Sequence, residues 1–340
     1  MLAHSFRLCA AVFTMVLVYQ SPCMAYAAGP ATGPASEIAR LQQAVDAAVQ
    51  RAKPGILGVA VLDVHTGATA GARADQPFPM MSVFKAPVAA AVLDRIEHGS
   101  MSLAQKITAT RMDLHDGSAV PSVGDELKSG KTVFTVERLL KGAVSESDNT
   151  AVDLLLRVMG GPPVVTSFLH AHGVDGLRVD IGEAGISEIF NDLKPGQTLP
   201  ADESEQAFSQ RRQRGYQAFL ADPRNRSTPA GAVKFLRKLQ GGEVLSPEST
   251  QYLLRLMAAQ TLPNRLRAGV PHGVQFADKA GTSATQQGRT AAYNDIGIMS
   301  WPDGRVVIIA AFLSDSTASD KERGALFADL ARPVAAAVRP

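Results

Sequence analysis

Cysteine is nearly absent from this chain: only Cys9 and Cys23 occur among its 340 residues. Both lie in an N-terminal segment with the features of a removable leader, so the remaining chain would contain no disulfide and no thiolate metal site. No His-x-x-x-His pair or His/Asp cluster replaces them. We therefore expect neither a metal nor a cofactor.

Long apolar runs and a charge excess of one sign are also missing. The chain has 34 basic and 32 acidic residues, a net charge of +2. Because the basic residues are scattered, the sequence argues against a nucleic-acid-binding surface. The apolar run Leu8 to Tyr19 has the length of a signal-peptide core and is too short to span a bilayer comfortably.

The residues around that run predict a secretory signal peptide over residues 1–27. His4 and Arg7 precede it, and Ala25-Tyr26-Ala27 is a small-x-small cleavage site that would leave Ala28 as the mature start. An uncleaved anchor remains the alternative. Cys23 lacks the leucine and small residues expected before a lipid-modified cysteine, which argues against a lipoprotein.

Strand patterns occur at both ends of the chain and helical patterns lie between them. The sequence therefore predicts one domain over 28–340, of α/β (α+β) class. An antiparallel sheet from the N- and C-terminal segments, flanked by helices, would form one lobe, with an all-helical lobe inserted. The boundaries are approximately 37–90 and 270–340 for the α/β lobe and 91–269 for the helical lobe, with the site expected between the lobes.

Residues 178–228 show no clear periodicity and are predicted to form an extended loop. The basic cluster Arg211-Arg212-Gln213-Arg214 within it is interpreted as a solvated helix face. After it, Thr228-Pro229 and Ser246-Pro247 each pair an N-cap residue with proline at the first helical position, which predicts two helix starts.

Ser82 and Lys85 form the most informative pair of side chains. Three residues apart on a helical turn, they share one face, so the amine can reach the hydroxyl. Serine needs an adjacent base to become a nucleophile, and lysine can supply it. Apolar residues 86–93 follow, which predicts a buried helix that holds Ser82 at its start.

Two further motifs follow in order, Ser147-Asp148-Asn149 and Lys279-Ala280-Gly281-Thr282. Ser147-Asp148-Asn149 alone is typical of a helix cap. Together with Ser82-x-x-Lys85, however, the motifs resemble those of class A serine β-lactamases over nearly all of the mature chain. Three flanking stretches support the resemblance: Phe78-Pro79-Met80, Gly160-Gly161-Pro162 and Thr290 to Gly297.

The resemblance implies a role for each motif residue. Ser82 would attack the lactam carbonyl, Lys85 would accept or relay its proton, and Ser147 would pass a proton to the leaving nitrogen. The N–H groups of Ser82 and Thr282 would form the oxyanion hole. The substrate-binding residues would be Asn149, for the acyl amide, and the strand residues Lys279, Gly281, Thr282 and Ser283, with the substrate carboxylate held mainly by Lys279 and Thr282.

A loop glutamate distinguishes hydrolases from penicillin-binding proteins, because turnover needs a base that activates water. Glu183 stands where the resemblance places this residue, and Glu188 is the rival. The family's flanking arginine and asparagine are replaced by Ile181 and Ser187. These surroundings, with Asp153 in the Ser-Asp-Asn helix, resemble the PER-like branch with an enlarged loop.

Ala280 departs from the family pattern, which has Thr or Ser there. Since a lost charge-assisted hydrogen bond is worth roughly 1.5–3 kcal/mol, we expect weakened or shifted recognition of the substrate carboxylate. Arg289, Lys321 and Arg323 are candidate additional cations.

The resemblance implies a periplasmic, monomeric hydrolase with a small-molecule β-lactam as substrate. It implies no nucleic-acid partner and, after signal cleavage, no membrane association. Two alternatives stay open: a penicillin-binding D,D-peptidase, which would not need Glu183, and a lactamase-like protein that binds β-lactams without hydrolysis.

Overall fold

A six-stranded antiparallel sheet is the scaffold of the computed structural model, which describes Met1 and residues 34–262 and 264–338. The strands of the protein are β1 Ile56–Asp63, β2 Thr69–Ala72, β3 Phe78–Pro79, β4 Lys106–Thr108, β5 Val133–Thr135, β6 Arg226–Ser227, β7 Gln275–Thr282, β8 Thr285–Gln286, β9 Arg289–Ser300 and β10 Val306–Ser316. In the sheet they run in the order β2-β1-β10-β9-β7, with β8 paired to β9; β3 with β6 and β4 with β5 form two small separate pairs.

The sheet joins the two ends of the described chain, as the sequence predicted. β1 pairs antiparallel with β10, so that Ile56 lies opposite Ser314 and Asp63 opposite Val307. The central strands are buried along nearly their whole length, because helices cover both faces. The predicted fold class is therefore confirmed, whereas the predicted signal peptide falls outside the described residues except for Met1.

Eleven α-helices are found in the described residues. They are α1 Pro34–Arg51, α2 Lys85–Glu97, α3 Ser122–Lys128, α4 Val136–Val144, α5 Asn149–Met159, α6 Pro163–Ala171, α7 Glu183–Phe190, α8 Glu205–Ala221, α9 Pro229–Gln240, α10 Pro247–Ala258 and α11 Asp320–Ala337. α1 and α11 pack on one face of the sheet, and α9 and α10 pack on strands from the other side. α2 is buried from Lys85 to Leu93 and forms the core of the helical part.

The two predicted proline-marked starts are confirmed. The Thr228 hydroxyl accepts a hydrogen bond from Gly231 N at 2.9 Å and caps α9. Ser246 caps α10 in the same way. No single helix in the described part of the chain is long and apolar enough to cross a membrane. α5 and α6 pass that test only as a pair, and they are bent by 73°.

Residues 178–228 do not form an extended irregular loop; they contain α7, α8 and β6. The interpretation of the basic cluster as a solvated face is wrong for Arg211, which is buried. Its guanidinium donates to Glu203 and to the Asn191 carbonyl, at 2.7 Å for the latter. The rings of Phe190 and Phe219 stack with centroids 4.1 Å apart, which joins α7 to α8.

Tyr216 anchors α8 to the sheet. Its buried hydroxyl donates to Asp315 Oδ1 at 2.6 Å, and Arg289 Nε donates to the same oxygen at 2.8 Å. Burial and the bond to the carboxylate raise the pKa of Tyr216, while the bond from Arg289 lowers the pKa of Asp315. A neutral phenol therefore meets an ionised carboxylate at this junction.

Replacing Tyr216 by Phe removes this hydrogen bond and keeps the ring. We expect Tyr216→Phe to lower the free energy of unfolding by about 1.5–3 kcal/mol, the range for hydrogen bonds to charged groups. Urea denaturation measures this loss. Tyr252→Phe, at a half-buried tyrosine on α10, is the matched control. Equal stability of the two variants would contradict the anchor.

Candidate active site

Ser82 lies in a 3-10 turn, Met81–Phe84, immediately before α2. The turn is held from below, because Asn294 Nδ2 donates to the carbonyls of Pro79 and Met80 at 2.7 and 3.0 Å. Met81 has a φ of +48°, a conformation that costs energy in a non-glycine residue. Within the described residues the Ser82 hydroxyl has no hydrogen-bond partner, so the contact with the Lys85 amine that the spacing predicted is not formed: Lys85 Nζ donates to Ser147 and Asn149 instead.

Lys85 begins α2 one turn after Ser82, and its side chain is fully buried. Its side-chain nitrogen, Nζ, donates to the Ser147 carbonyl at 2.8 Å and to Asn149 Oδ1 at 2.6 Å. Glu183 Oε1 lies 3.1 Å away. A single amine thus joins the Ser-Asp-Asn segment to α7, because a buried polar group needs several partners.

Ser147 is held in the left-handed region, with φ at +56°. The next residue, Asp148, fixes the turn: it caps α5 through Ala151 N at 2.7 Å and accepts from Val123 N at 2.9 Å. The Ser147 hydroxyl accepts a hydrogen bond from Lys279 Nζ at 3.0 Å. The Ser-Asp-Asn motif therefore has two roles: Asp148 caps α5, and Ser147 binds Lys279.

Lys279 projects from β7 and is fully buried. Burial and the nearby charge of Lys85 lower the pKa of Lys279 to about 7. Its amine donates to the Ser147 hydroxyl and to the Ala280 carbonyl. This amine is consequently poised to gain a proton when an anion approaches.

Gly281 allows β7 to approach the turn that carries Ser82. A Cβ at this position would lie 2.5 Å from the Met80 carbonyl and 3.1 Å from Ser82 N. Only glycine fits so close an approach without displacement. The close approach brings the backbone around Thr282 beside that of Ser82.

The residues that follow Gly281 differ in exposure. Thr282 is exposed at the end of β7, while Ser283 is buried and its hydroxyl accepts from Ala292 N at 3.0 Å. Ser283 is therefore engaged with the neighbouring strand. Ala280 is buried opposite Asp295 of β9.

Arg265 is a site residue that the sequence reading missed. This buried arginine donates to the carbonyls of Gly281 and Asn294 at 3.0 and 2.6 Å and to the Thr282 hydroxyl. Its guanidinium carbon lies 4.0 Å from the centre of the Tyr293 ring. A fixed positive charge thus lies directly beside Thr282.

Glu183 is the first residue of α7, and its side chain is buried. Asp153 of α5 holds this helix start, accepting from Glu183 N at 2.8 Å and from Ala184 N at 3.0 Å. Although Glu183 Oε1 lies near Lys85, it has no aligned hydrogen-bond donor. One carboxylate oxygen is therefore left with unused acceptor capacity inside the site.

Glu188 lies away from this cluster. Its Oε1 accepts from Gly196 N at 2.8 Å in the segment that follows α7. Of the cations offered from sequence, Arg289 pairs with Asp315, Arg323 covers the Tyr293 ring, and Lys321 is exposed. Among the described residues no group of three or more His, Cys, Asp or Glu could hold a metal ion.

Comparison with known proteins identifies relatives of this chain. The sequence profile of the Beta-lactamase enzyme family matches residues 40–338. The β-lactamase VEB-1 of Pseudomonas aeruginosa is 31% identical over 287 residues, covering 84% of this chain and 86% of its own. The chain belongs to the class A β-lactamase family. It is thereby an enzyme of a family of serine hydrolases.

Other class A β-lactamases show the same relationship. The extended-spectrum β-lactamase PER-1 of Pseudomonas aeruginosa is 32% identical, over 76% of this chain and 74% of its own. Among solved structures, an ancestral class A β-lactamase of Gram-negative bacteria has a TM-score of 0.71 at 35% identity, over 88% of this chain and all of the other. A β-lactamase from Chitinophaga pinensis has a TM-score of 0.72 at 30% identity, over 87% and 98%.

In this class A β-lactamase family member, three residues around the motifs gave little or no signal in the sequence. Arg265 precedes β7 by ten positions and belongs to no periodic pattern. Asp153 stood out only as a mark of the PER-like branch. Asn294 lies in a strand that the resemblance already covered, yet its contact with the turn before Ser82 depends on the packing of β9.

Proposed function

We propose that this class A family member hydrolyses β-lactams through an acyl-enzyme on Ser82, which a water activated by Glu183 then releases. The observation that carries this proposal is the position of the Lys85 amine. Lys85 begins α2 one turn after Ser82, and its Nζ lies 3.1 Å from Glu183 Oε1 and 2.8 Å from the Ser147 carbonyl. A nucleophile, an amine and a carboxylate are the parts that acylation and deacylation require.

In the acylation step, Ser82 Oγ attacks the lactam carbonyl and its proton passes to Lys85, which acts as a neutral amine. The N–H groups of Ser82 and Thr282 stabilise the negative charge that develops on the carbonyl oxygen. As the C–N bond breaks, the Ser147 hydroxyl gives its proton to the leaving nitrogen and is re-protonated from Lys279. The Ser147–Lys279 distance of 3.0 Å supports this relay.

The substrate carboxylate binds beside Lys279, Thr282 and Arg265 in this proposal. Arg265 lies against the Thr282 hydroxyl, so its charge supports the anion where Ala280 offers no hydroxyl of its own. The lowered pKa of Lys279, at about 7, means that an arriving carboxylate favours protonation of its amine. Asn149, hydrogen-bonded to Lys85, offers its amide to the acyl side chain, and Ser283 fixes the strand that lines this side.

In the deacylation step, a water held by Glu183 attacks the ester on Ser82, and Glu183 accepts its proton. The buried position of the Glu183 carboxylate, with Oε1 3.1 Å from Lys85 Nζ, supports this role. Glu188 is disfavoured as the base because its carboxylate is bound to Gly196 N. The ester bond breaks, Lys85 returns its proton to Ser82 Oγ, and the acid product leaves. The proton that Glu183 took from the water passes through solvent to Lys279, which restores both groups.

The setting proposed for the reaction follows from the sequence and the family. We propose a periplasmic location for this chain, after cleavage of residues 1–27, because those residues have the pattern of a signal peptide. We further propose that it works as a monomer on a small-molecule β-lactam, without membrane attachment, and that its lobes have the boundaries predicted above.

A chromogenic cephalosporin tests the proposed function. Incubated with purified mature protein, a hydrolase opens many equivalents of substrate, so absorbance rises linearly after mixing. A D,D-peptidase would give one stoichiometric burst, and a protein that only binds β-lactams would give no change. Either of these last two results would overturn the proposal.

Replacing Arg265 tests the carboxylate site. We expect Arg265→Gln to raise KM about 10–100-fold, since a charge-assisted bond is worth roughly 1.5–3 kcal/mol, with a smaller change in kcat. Steady-state kinetics measures both constants. Arg178→Gln, which breaks an exposed ion pair with Asp180, is the matched control. Unchanged KM in Arg265→Gln would show that its guanidinium does not serve substrate binding.

A further inference from the structure

His115 occupies an unexpected place beside the site, in the segment between the turn Arg111–Asp113 and α3. Its backbone N–H donates to Thr150 Oγ1 at 3.0 Å. Its ring nitrogen Nε2 lies 3.2 Å from Asp153 Oδ2. The side chain is 21% exposed, so solvent reaches one edge of the imidazole while the other faces the protein.

The carboxylate that His115 contacts is the one that caps α7. Asp153 accepts from the first two backbone N–H groups of that helix, those of Glu183 and Ala184. The N-cap residue of α7, Gly182, has no side chain that could cap the helix, and a Cβ there would lie 2.5 Å from Asp153 Oδ1. The position of Glu183 therefore depends on where the Asp153 carboxylate is held.

The same segment also contacts the other end of the site. The Asp116 carbonyl accepts from Asn149 Nδ2 at 2.8 Å, and the Ser118 hydroxyl accepts from Asn149 N at 2.8 Å. The segment 115–118 thus touches both the residue that binds Lys85 and the residue that caps the helix of Glu183. The segment can therefore position Asn149 and Asp153, and within the described part of the chain none of its contacts is with Ser82.

We propose that His115 is a positioning residue for deacylation: it holds Asp153 against the start of α7 and thereby fixes Glu183. This inference rests on the proposed function, because it assumes that Glu183 activates the water. Asp153 has two oxygens, each accepting from one N–H group of α7; the His115 ring adds a third contact, with Nε2 3.2 Å from Oδ2. Without that contact the carboxylate can rotate, and the helix start loosens.

The charges around His115 make the contact sensitive to pH. Asp153 faces it from α5, Glu183 from α7 and Asp113 from the preceding turn; Arg157 lies 3.3 Å from Asp113, and Lys85 lies at Glu183. Burial opposes protonation of the imidazole, but the bond to Asp153 and these negative charges outweigh it and raise the pKa of His115.

The direction of the pH effect follows from this raised pKa. Protonated His115 binds Asp153 as an ion pair, whereas the neutral ring offers at most a single uncharged hydrogen bond. The added stability is fully present below the unfolded pKa of histidine, about 6.5, and is lost as pH rises through the higher folded pKa. We expect the deacylation rate to fall over the same pH range.

Two variants at position 115 and one control test the proposal. His115→Ala removes donor and charge, and we expect deacylation to slow about tenfold with acylation changed less than about twofold, as for a group that acts on one step. His115→Gln keeps a donor without a titrating charge, so its deacylation rate should lose the inflection above about pH 6.5. His98→Ala removes a histidine paired with Asp94 on the exposed end of α2 and should behave as wild type.

Rapid-quench mass spectrometry gives the two rate constants separately between pH 5.5 and 9 (values chosen to bracket the histidine range, about 6.5). Equal slowing of both steps in His115→Ala, or a wild-type pH profile in His115→Gln, would overturn the positioning role. Failure of the proposed function looks different: Glu183→Gln would then deacylate normally, whatever the His115 variants do. If Glu183→Gln accumulates acyl-enzyme and His115→Ala deacylates like wild type, only the role of His115 is overturned.

Discussion

Glu183→Gln is expected to acylate and then stop. Glutamine keeps the shape of the side chain and the start of α7, but it cannot accept the proton of the attacking water. General-base catalysis contributes about 10²–10⁴-fold, so we expect deacylation to fall by that factor. Intact-protein mass spectrometry, seconds to hours after addition of a penicillin, should then show one covalently bound equivalent that persists.

The matched control for this variant is Glu188→Gln. Both glutamates lie on α7, five positions apart. Glu183 contacts Lys85, whereas Glu188 accepts a hydrogen bond from Gly196 N. Glu188→Gln should therefore turn over at nearly the wild-type rate. Persistent acyl-enzyme in Glu188→Gln, together with normal turnover in Glu183→Gln, would show that Glu188 and not Glu183 is the base.

Gly281→Ala is expected to impair acylation strongly. The added Cβ would lie 2.5 Å from the Met80 carbonyl, so either β7 or the turn carrying Ser82 must shift. Such a shift separates the two N–H groups of the oxyanion hole, and loss of one donor typically costs about 10²–10³ in rate. Pre-steady-state measurement of the acylation rate constant tests this expectation.

Overpacking also destabilises, by about 1–3 kcal/mol, so the fold of Gly281→Ala must be checked separately. Its circular dichroism spectrum should remain that of the wild type at 25 °C. Gly324→Ala on α11 is the control, because its Cβ would meet its nearest neighbour, Tyr293 Oη, at an ordinary 3.5 Å. A fully folded Gly281→Ala variant with wild-type acylation would contradict the role of this close approach.

Local signals in the sequence were sufficient for much of the fold. Thr228-Pro229 and Ser246-Pro247 marked helix starts because capping is decided within four residues. The short apolar runs of β1 and β10 marked both segments as strands. Ser82, Lys85 and Ser147 came from motifs with fixed spacing, and the structure brings the last two into contact through the Ser147 carbonyl.

Other features depend on contacts between distant residues and could not be read locally. α8 has few apolar residues, and it is held by Tyr216 on Asp315 and by the stack of Phe219 on Phe190. The polar sequence of α8 therefore predicts that its arginines are solvated, and this prediction is wrong for Arg211, which is buried. The contact of His115 with Asp153 exists only because the segment before α3 packs on α5.

The central claim is that Ser82 carries the covalent intermediate, and peptide mapping tests it most directly. Glu183→Gln is incubated with a β-lactam, denatured and digested, and the position of the added mass is found by tandem mass spectrometry. We predict the adduct on the peptide that contains Ser82, at the serine itself, with none in Ser82→Ala. An adduct on another residue, or an adduct that persists in Ser82→Ala, would contradict the account.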